Sequence, residues 1–242
     1  MPKLRCLAWK RFLSRRTMIV LAVLALLGLA HAPILRLLAR PLLAQGTTQQ
    51  ADYYCLRGDE LGVDGFEPFE HAAAWHEEAP GRKILLLLPP DSRVVELGAA
   101  PSFEQMCRRE LDKLRIPSND LETIRAAAHD VWGEAHAMQA WLQEHPGAGV
   151  ILACSPPSSG RLRYVLDKVI APADAARVRL AWLPEPGKGL DNWWRSREGV
   201  KAFMYGWLEL IYAWAEGDDA RPAPAGAAAF QAEVRAKIGE AP

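Results

Sequence analysis

What the chain lacks narrows its class first. It has no Gly-x-Gly-x-x-Gly, no Gly-Lys-Ser/Thr loop and no His-Glu-x-x-His, so the marks of dinucleotide, nucleotide-phosphate and zinc-protease sites are missing. Histidines 71, 76, 129, 136 and 145 are scattered at spacings that do not suggest converging ligands, and neither a metal nor a cofactor is expected. There is no internal repeat. Cysteine is scarce, with four in 242 residues. Cys6 falls in a basic tail, and Cys55, Cys107 and Cys154 make an odd number in the body. Cys55 and Cys154 end two candidate strands and pair only if those strands are neighbours; buried free thiols packed as small hydrophobes are the favoured reading.

Acid is absent from residues 1–16, which hold Lys3, Arg5, Lys10, Arg11, Arg15 and Arg16. Residues 17–45 add only Arg36 and Arg40, so the remainder carries 21 basic groups against all 29 acids, a net of −8. An acidic body offers phosphates no basic face, which excludes a nucleic-acid partner. Charge of either sign is absent from Thr17 to Leu35, nineteen residues centred on MIVLAVLALLGLA. Roughly 20 such residues, rising 1.5 Å each in a helix, cross a hydrocarbon core of about 30 Å. The preceding positive charges leave the N-terminus in the cytoplasm and the rest outside. A cleaved signal peptide is the rival reading, since Ala30-His31-Ala32 has small residues at cleavage spacing. Against it, Pro33 would follow the cut, and the apolar stretch runs on through Ile34-Leu35 and Leu37-Leu38. A buried core helix conflicts with the basic flank. The expectation is a single-pass anchor, residues 17–35, in the lipid bilayer of a bacterial cytoplasmic (inner) membrane. A cytoplasmic tail (1–16) precedes it, an extracytoplasmic domain (46–216) follows, and residues 217–242 form an Ala/Pro-rich linker with a marginal helix at Ala229–Ile238.

Past the anchor, short apolar runs alternate with helical patterns. Asp52–Leu56, Lys83–Leu88, Leu121–Ile124, Gly149–Cys154 and Val178–Leu183 read as strands. The second and fourth are continuously apolar, as where a parallel sheet is covered on both faces. Phe66–Glu78, Ser102–Leu114, Val131–Glu144, Arg161–Val169 and Arg197–Glu216 read as helices. Val131, Ala135, Met138 and Leu142 share one side, and Ser102 with Gln105 makes a capping box. The alternation predicts an α/β fold with a doubly wound, mostly parallel five-stranded sheet. The last helix is expected to pack on that sheet, with Phe203, Trp207, Leu210, Ile211 and Trp214 as core.

Ligands of such sheets bind beyond the carboxyl ends of the strands, where strand order reverses. That rule nominates Arg57 and Asp59 after the first strand, Asp91 and Arg93 after the second, and Arg125–Asp130 after the third. The fourth loop, Ser155-Pro-Pro-Ser158-Ser159-Gly160-Arg161, puts small residues at a helix start, where backbone N–H groups and the helix dipole favour an anion. Arg161 and Arg163 add charge there. The bland alternative is an ordinary helix cap with surface arginines. Asp130 and Glu134 are the candidates for proton transfer, although an exposed helix glutamate is commoner than a catalytic one. Ser155 lacks the glycines of a nucleophile elbow.

The order of these features resembles the SanA/ElyC/YdcF-like family. The basic tail, single anchor, Ala51-Asp52 at the first strand, the Ser-Pro loop with its arginine helix, and Asn192-Trp-Trp-Arg-Ser-Arg-Glu-Gly199 before a Leu/Tyr-rich helix carry the resemblance. It implies a Rossmann-like domain, often periplasmic, linked to envelope integrity and peptidoglycan or lipid-carrier steps. One cytoplasmic relative is associated with S-adenosylmethionine, which does not transfer to a domain outside. Relatives usually have Gly-Gly where this chain has Arg57-Gly58, and a histidine near Ser158. The glycine-rich loop after the second strand is here Pro89-Pro90-Asp91-Ser92, and Glu104 stands near the family's acidic position. Arg161 is retained, but these departures imply a pocket that has lost some of the family's ligand chemistry, and favour a non-catalytic relative.

Two functions compete. One is an envelope-biogenesis protein whose crevice binds or processes a phosphorylated or sugar-bearing precursor, in one form lipid-linked, with Arg57, Arg161 and Arg195 steadying charge. The other is a non-catalytic scaffold for a membrane protein partner, using Trp193 to Arg197 as an interface. Against the second stands the reading of Trp193 and Trp194 as loop-locking residues.

Overall fold

The computed structural model describes residues 17–22, 31–44, 51–58, 67–78, 81–183, 189 and 191–217. Five strands form one sheet, every neighbouring pair parallel: β1 (Tyr53–Arg57), β2 (Lys83–Leu88), β3 (Leu121–Arg125), β4 (Val150–Cys154) and β5 (Val178–Trp182). Their order is β3-β2-β1-β4-β5. The winding reverses between β1 and β4, so the fold is a doubly wound, Rossmann-like α/β sheet. Burial follows position. β1, β2 and β4 are buried almost throughout, whereas the edge strands β3 and β5 keep half-buried positions. Central parallel strands need apolar side chains on both faces, which explains the unbroken Ile84–Leu88 and Val150–Cys154 runs.

One face, through Tyr54, Leu56, Ile84, Leu86 and Ile151, is covered by α1 (Glu67–Glu77) and α2 (Phe103–Lys113). The other, through Tyr53, Cys55, Leu85, Leu87 and Leu152, is covered by α3 (Val131–Glu144) and α4 (Ser159–Val169). The expected capping box at Ser102 and Gln105 is formed in both directions. Cys55, Cys107 and Cys154 are buried and in no disulfide, even though β1 and β4 are neighbours.

The last helix, α5 (Arg197–Glu216), departs from expectation. Its buried edge of Gly199, Phe203, Gly206, Leu210 and Ala213 lies mainly against α4 and the turns beside it, as a further layer outside α4. Ile211 and Trp214, expected in the core, are half exposed. A helix with so many apolar residues all round can bury only one of its sides here.

Residues 17–22 and 31–39 are helical, and a 3-10 turn, Arg40–Leu42, follows. Among the described residues no helix is long and apolar enough to cross a membrane. Residues 23–30 at the centre of the expected anchor, the basic tail 1–16 and the C-terminal stretch 218–242 lie outside the described residues. The segment after the helix docks firmly. Ala39 and Leu42 are fully buried with Phe203 and Leu210. The Ala44 N–H donates to Ser159 Oγ at 3.0 Å, and the Ala44 carbonyl accepts from the Trp182 indole at 2.9 Å. Gly160 permits this approach, because a Cβ there would overlap the Pro41 carbonyl and come within 2.7 Å of Leu42 backbone atoms.

Gly160→Ala therefore forces residues 41–42 off the start of α4. The expected cost is about 1–3 kcal/mol, the usual range for overpacking a tight contact. Denaturant unfolding measures it, and limited proteolysis should show faster cutting between residues 36 and 44. Unchanged stability and protection would refute the contact's role.

Candidate functional site at the carboxyl edge of the sheet

A crevice of about 230 Å³ opens at this edge, lined by Pro89, Ala128, His129, Asp130, Val131, Glu134 and Arg161. Pro89 follows β2, residues 128–130 form the turn between β3 and α3, Glu134 stands in the first turn of α3, and Arg161 in the first turn of α4. Several loops thus contribute to one rim. The volume is below the roughly 300–1,000 Å³ of pockets that enclose a drug-sized ligand. It suits a headgroup whose remainder stays outside. A wider depression of about 490 Å³, lined by Arg108, Asp112 and Arg115, lies at the opposite edge, where Leu121 opens β3.

Beneath the crevice is a buried ion pair. Arg57 is not in a loop, as the sequence suggested, but is the last residue of β1 and 1 % exposed. Its Nε and Nη2 lie 2.9 and 2.8 Å from Glu134 Oε2. Glu134, 5 % exposed, is therefore neither a solvated helix residue nor a carboxylate open to water. Deleting one member of such a pair strands a buried charge and costs about 3–5 kcal/mol, whereas replacing both with apolar groups is often near neutral. Asp130 caps α3, its Oδ1 accepting the Gly133 N–H at 2.7 Å. Both proton-transfer candidates are thus at the crevice, and both are committed to structural partners. Arg161 differs. Its Nε is buried without a hydrogen-bond partner, and its Nη2 stands 3.6 Å from Glu209 on α5, beyond hydrogen-bond length.

The helix start expected to cradle an anion is used internally. Pro156 and Pro157 bring no N–H; those of Ser158 and Ser159 bond back to the Ser155 and Pro156 carbonyls. Ser159 is fully buried, its Oγ serving Ala44, and Ser158 Oγ donates to the Ser155 carbonyl at 2.9 Å. Of that loop, only Arg161 lines the crevice. Asp91 and Glu104 are drawn elsewhere: Arg125 donates to Asp91 at 3.0 Å and to Glu104 at 2.7 Å, and Arg108 donates to Glu104 at 2.8 Å. Arg93 is exposed on the short helix Arg93–Glu96, and Arg195 on the 3-10 turn Trp193–Arg195; neither lines the crevice. Asp59 lies outside the described residues. Trp193 stacks on Phe203 with ring centres 4.6 Å apart, as a loop-locking residue does. Among the described residues no three His, Cys, Asp or Glu side chains group as metal ligands.

The nominated Arg125–Asp130 loop does bring His129 and Asp130 to the crevice; what the sequence reading missed is the Arg57–Glu134 pair. One signal was available: Glu134 falls on the same side as Val131, Ala135 and Met138, and an acid on an apolar stripe requires a buried partner. Fold and crevice together define a Rossmann-like α/β protein with a small polar site at its switch-point edge. Neither the protein-family models nor the curated proteins compared with this chain match it.

Two expectations follow from these charges. Arg57→Leu and Glu134→Leu should each lose about 3–5 kcal/mol, and the double variant should recover most of that; additive losses in denaturant unfolding would show the pair to be uncoupled. Glu104 is partly buried, which alone would raise its pKa, but Arg108, Thr123 and Arg125 outweigh this and hold the carboxyl below its usual 4.5. Its folded value being the lower one, its stabilisation is complete above the unfolded value and is lost as pH falls through the folded one. Glu104→Gln should therefore lose stability at neutral pH and flatten the acid limb below about pH 4.5, the ordinary glutamate range. A parallel shift across all pH would refute this.

Proposed function

We propose that this chain is a membrane-tethered, extracytoplasmic envelope protein whose crevice binds a phosphorylated, lipid-linked cell-wall or glycan precursor. The observation that carries the reading is the meeting of two features at one edge. The segment leaving the apolar N-terminal run docks on Ser159, Gly160 and Trp182, and Arg161, one residue further, lines the crevice with an unpartnered buried Nε. A ligand with a polyprenyl tail and a phosphate head needs that adjacency of lipid and cation. A guanidinium grips phosphate through paired N–H groups. The small volume accepts the head alone, and Pro89, Ala128 and Val131 offer it an apolar wall.

The reading is one of binding. Glu134 is held by Arg57 and Asp130 by the α3 start, so either would have to break a partner before moving a proton. The resemblance to the SanA/ElyC/YdcF-like family agrees with an absence of catalysis, since glycines and a histidine that relatives carry in the loops after the strands are replaced here. The scaffold alternative has less behind it, because Trp193 faces inward onto Phe203.

Calorimetry on the full chain in lipid nanodiscs tests the proposal, with a short-chain undecaprenyl-phosphate analogue as ligand and the matching alcohol as control. Wild type should bind the phosphate and not the alcohol. Arg161→Ala should weaken binding about tenfold or more, the scale of one lost charge-assisted hydrogen bond of about 1.5–3 kcal/mol. Equal binding by wild type and variant would sink the site. An alkaline-phosphatase fusion after Pro242 should be active in cells; an inactive fusion would overturn the assigned topology.

A further inference from the structure

We propose that the outer face of α5, with the outer face of helix 31–39, rests on the bilayer surface and holds the carboxyl edge of the sheet toward the lipid. The inference rests on the reading of residues 17–35 as an anchor and adds a second, peripheral contact. Opposite the buried edge of α5, Met204, Leu208 and Ile211 are 60, 60 and 50 % exposed, with Val200, Tyr205 and Trp214 also uncovered. A surface helix normally turns polar residues outward, and a contiguous apolar patch marks a contact. From Ala202 to Ala215 the helix has one charge, Glu209. That residue lies on the Arg161 side of the helix, 3.6 Å from its Nη2, with 44 % of its side chain exposed.

The occupant is argued from continuity. Ile34, Leu37 and Leu38 on helix 31–39 are exposed as well. The chain directly after them, Ala39 and Leu42, is packed on Phe203 and Leu210 of α5. The two uncovered apolar faces therefore flank one joint, and the chain preceding that joint is the charge-free run that begins at Thr17. Whatever solvates that run also reaches α5. The face has an interfacial composition: Tyr205 and Trp214 carry the amphipathic rings enriched at the membrane–water boundary. Arg36 and Lys201 on these elements are exposed and paired with the exposed Asp191 and Glu198, and Arg40 on the adjoining 3-10 turn is exposed too; their stems are long enough to reach headgroups. A second copy of the chain, or residues 218–242 folded back, are the competing occupants.

The test uses the full chain with Cys6→Ser, so that a polarity-sensitive fluorophore is attached at one introduced cysteine while Cys55, Cys107 and Cys154 stay buried. Leu208→Cys probes α5, Leu21→Cys the anchor, and Asp112→Cys an exposed site on α2. The protein is reconstituted in phosphatidylglycerol-containing vesicles with brominated acyl chains, without ligand. The labels at 208 and 21 should be quenched by bromine and lose quenching by aqueous iodide, with the reverse at 112. Iodide quenching at 208 with bromine quenching at 21 would overturn the α5 contact and leave the anchor standing. Iodide quenching at both would overturn the anchor too. Protection of 208 from both quenchers also overturns it: dependence on label density identifies a second copy, and exposure on deleting residues 218–242 identifies the chain's own tail. No ligand is present, so the label pattern is read independently of whether the crevice binds phosphate.

Discussion

Much of the crevice depends on one constraint, the burial of Arg57 against Glu134 at the end of β1. A guanidinium 1 % exposed at the switch point needs an anion within reach, and the sheet has none of its own there. It must come from α3, whose first turn is thereby fixed over the strand ends, 2.8 Å from the cation. The same turn carries the Asp130 cap, and the cap sets the direction of the β3–α3 loop with His129. A close packing of Gly133 on Ala128, 3.0 Å from where a Cβ would lie, finishes the bend. The pair reaches into the core as well. Burial, and after it the negative charge of Glu134, push the Cys55 thiol far above its ordinary value, so it stays a protonated, inert neighbour of the strands.

The α4 start shows how two demands on one helix terminus are resolved. Free N–H groups there attract an anion, and small residues there admit close-packed backbone; one site cannot serve both fully. Pro156 and Pro157 remove two donors, the 3-10 turn consumes two more, and Ser159 with Gly160 accept the 41–44 segment. The terminus has become a docking site for that segment. The Arg161 side chain, two residues beyond Ser159, keeps a buried Nε without a partner at that rim.

How much of this could be read from the chain follows from which forces are local. The helices Val131–Glu144 and Arg197–Glu216 begin and end where their patterns predict, because Asp130 and Ser196 cap them through side-chain bonds to Gly133 and Gly199. β2 and β4 were legible because double-sided burial leaves unbroken apolar runs. Arg57 was not: local pattern reads an arginine before glycine as loop, and only a partner 77 residues away makes it a strand residue. Asp91 follows β2 as its loop position predicts, and Glu104 was named only through the family resemblance, but the competing claim of Arg125 on both cannot be seen without the third dimension. The Ser-Pro-Pro loop was read for its helix dipole while the missing proline donors, visible in the letters, went uncounted.

α5 raises the sharpest question of economy. A helix needs apolar residues only where it is covered, yet this one keeps Met204, Leu208 and Ile211 in the open. Burying even one such side chain is worth about 1.5–3 kcal/mol, so several left exposed represent a large unused driving force toward association. Under the bilayer reading that force turns the domain about the joint at Ala39–Leu42 until the patch is covered. Glu209 lies on the Arg161 side of the same helix. Under that reading, a tilt that presses α5 on lipid acts on the element whose Glu209 stands 3.6 Å from Arg161. Orientation at the membrane and electrostatics at the rim then become coupled through one side chain, so a ligand drawn from the bilayer would meet Arg161 only where the helix beside it already lies.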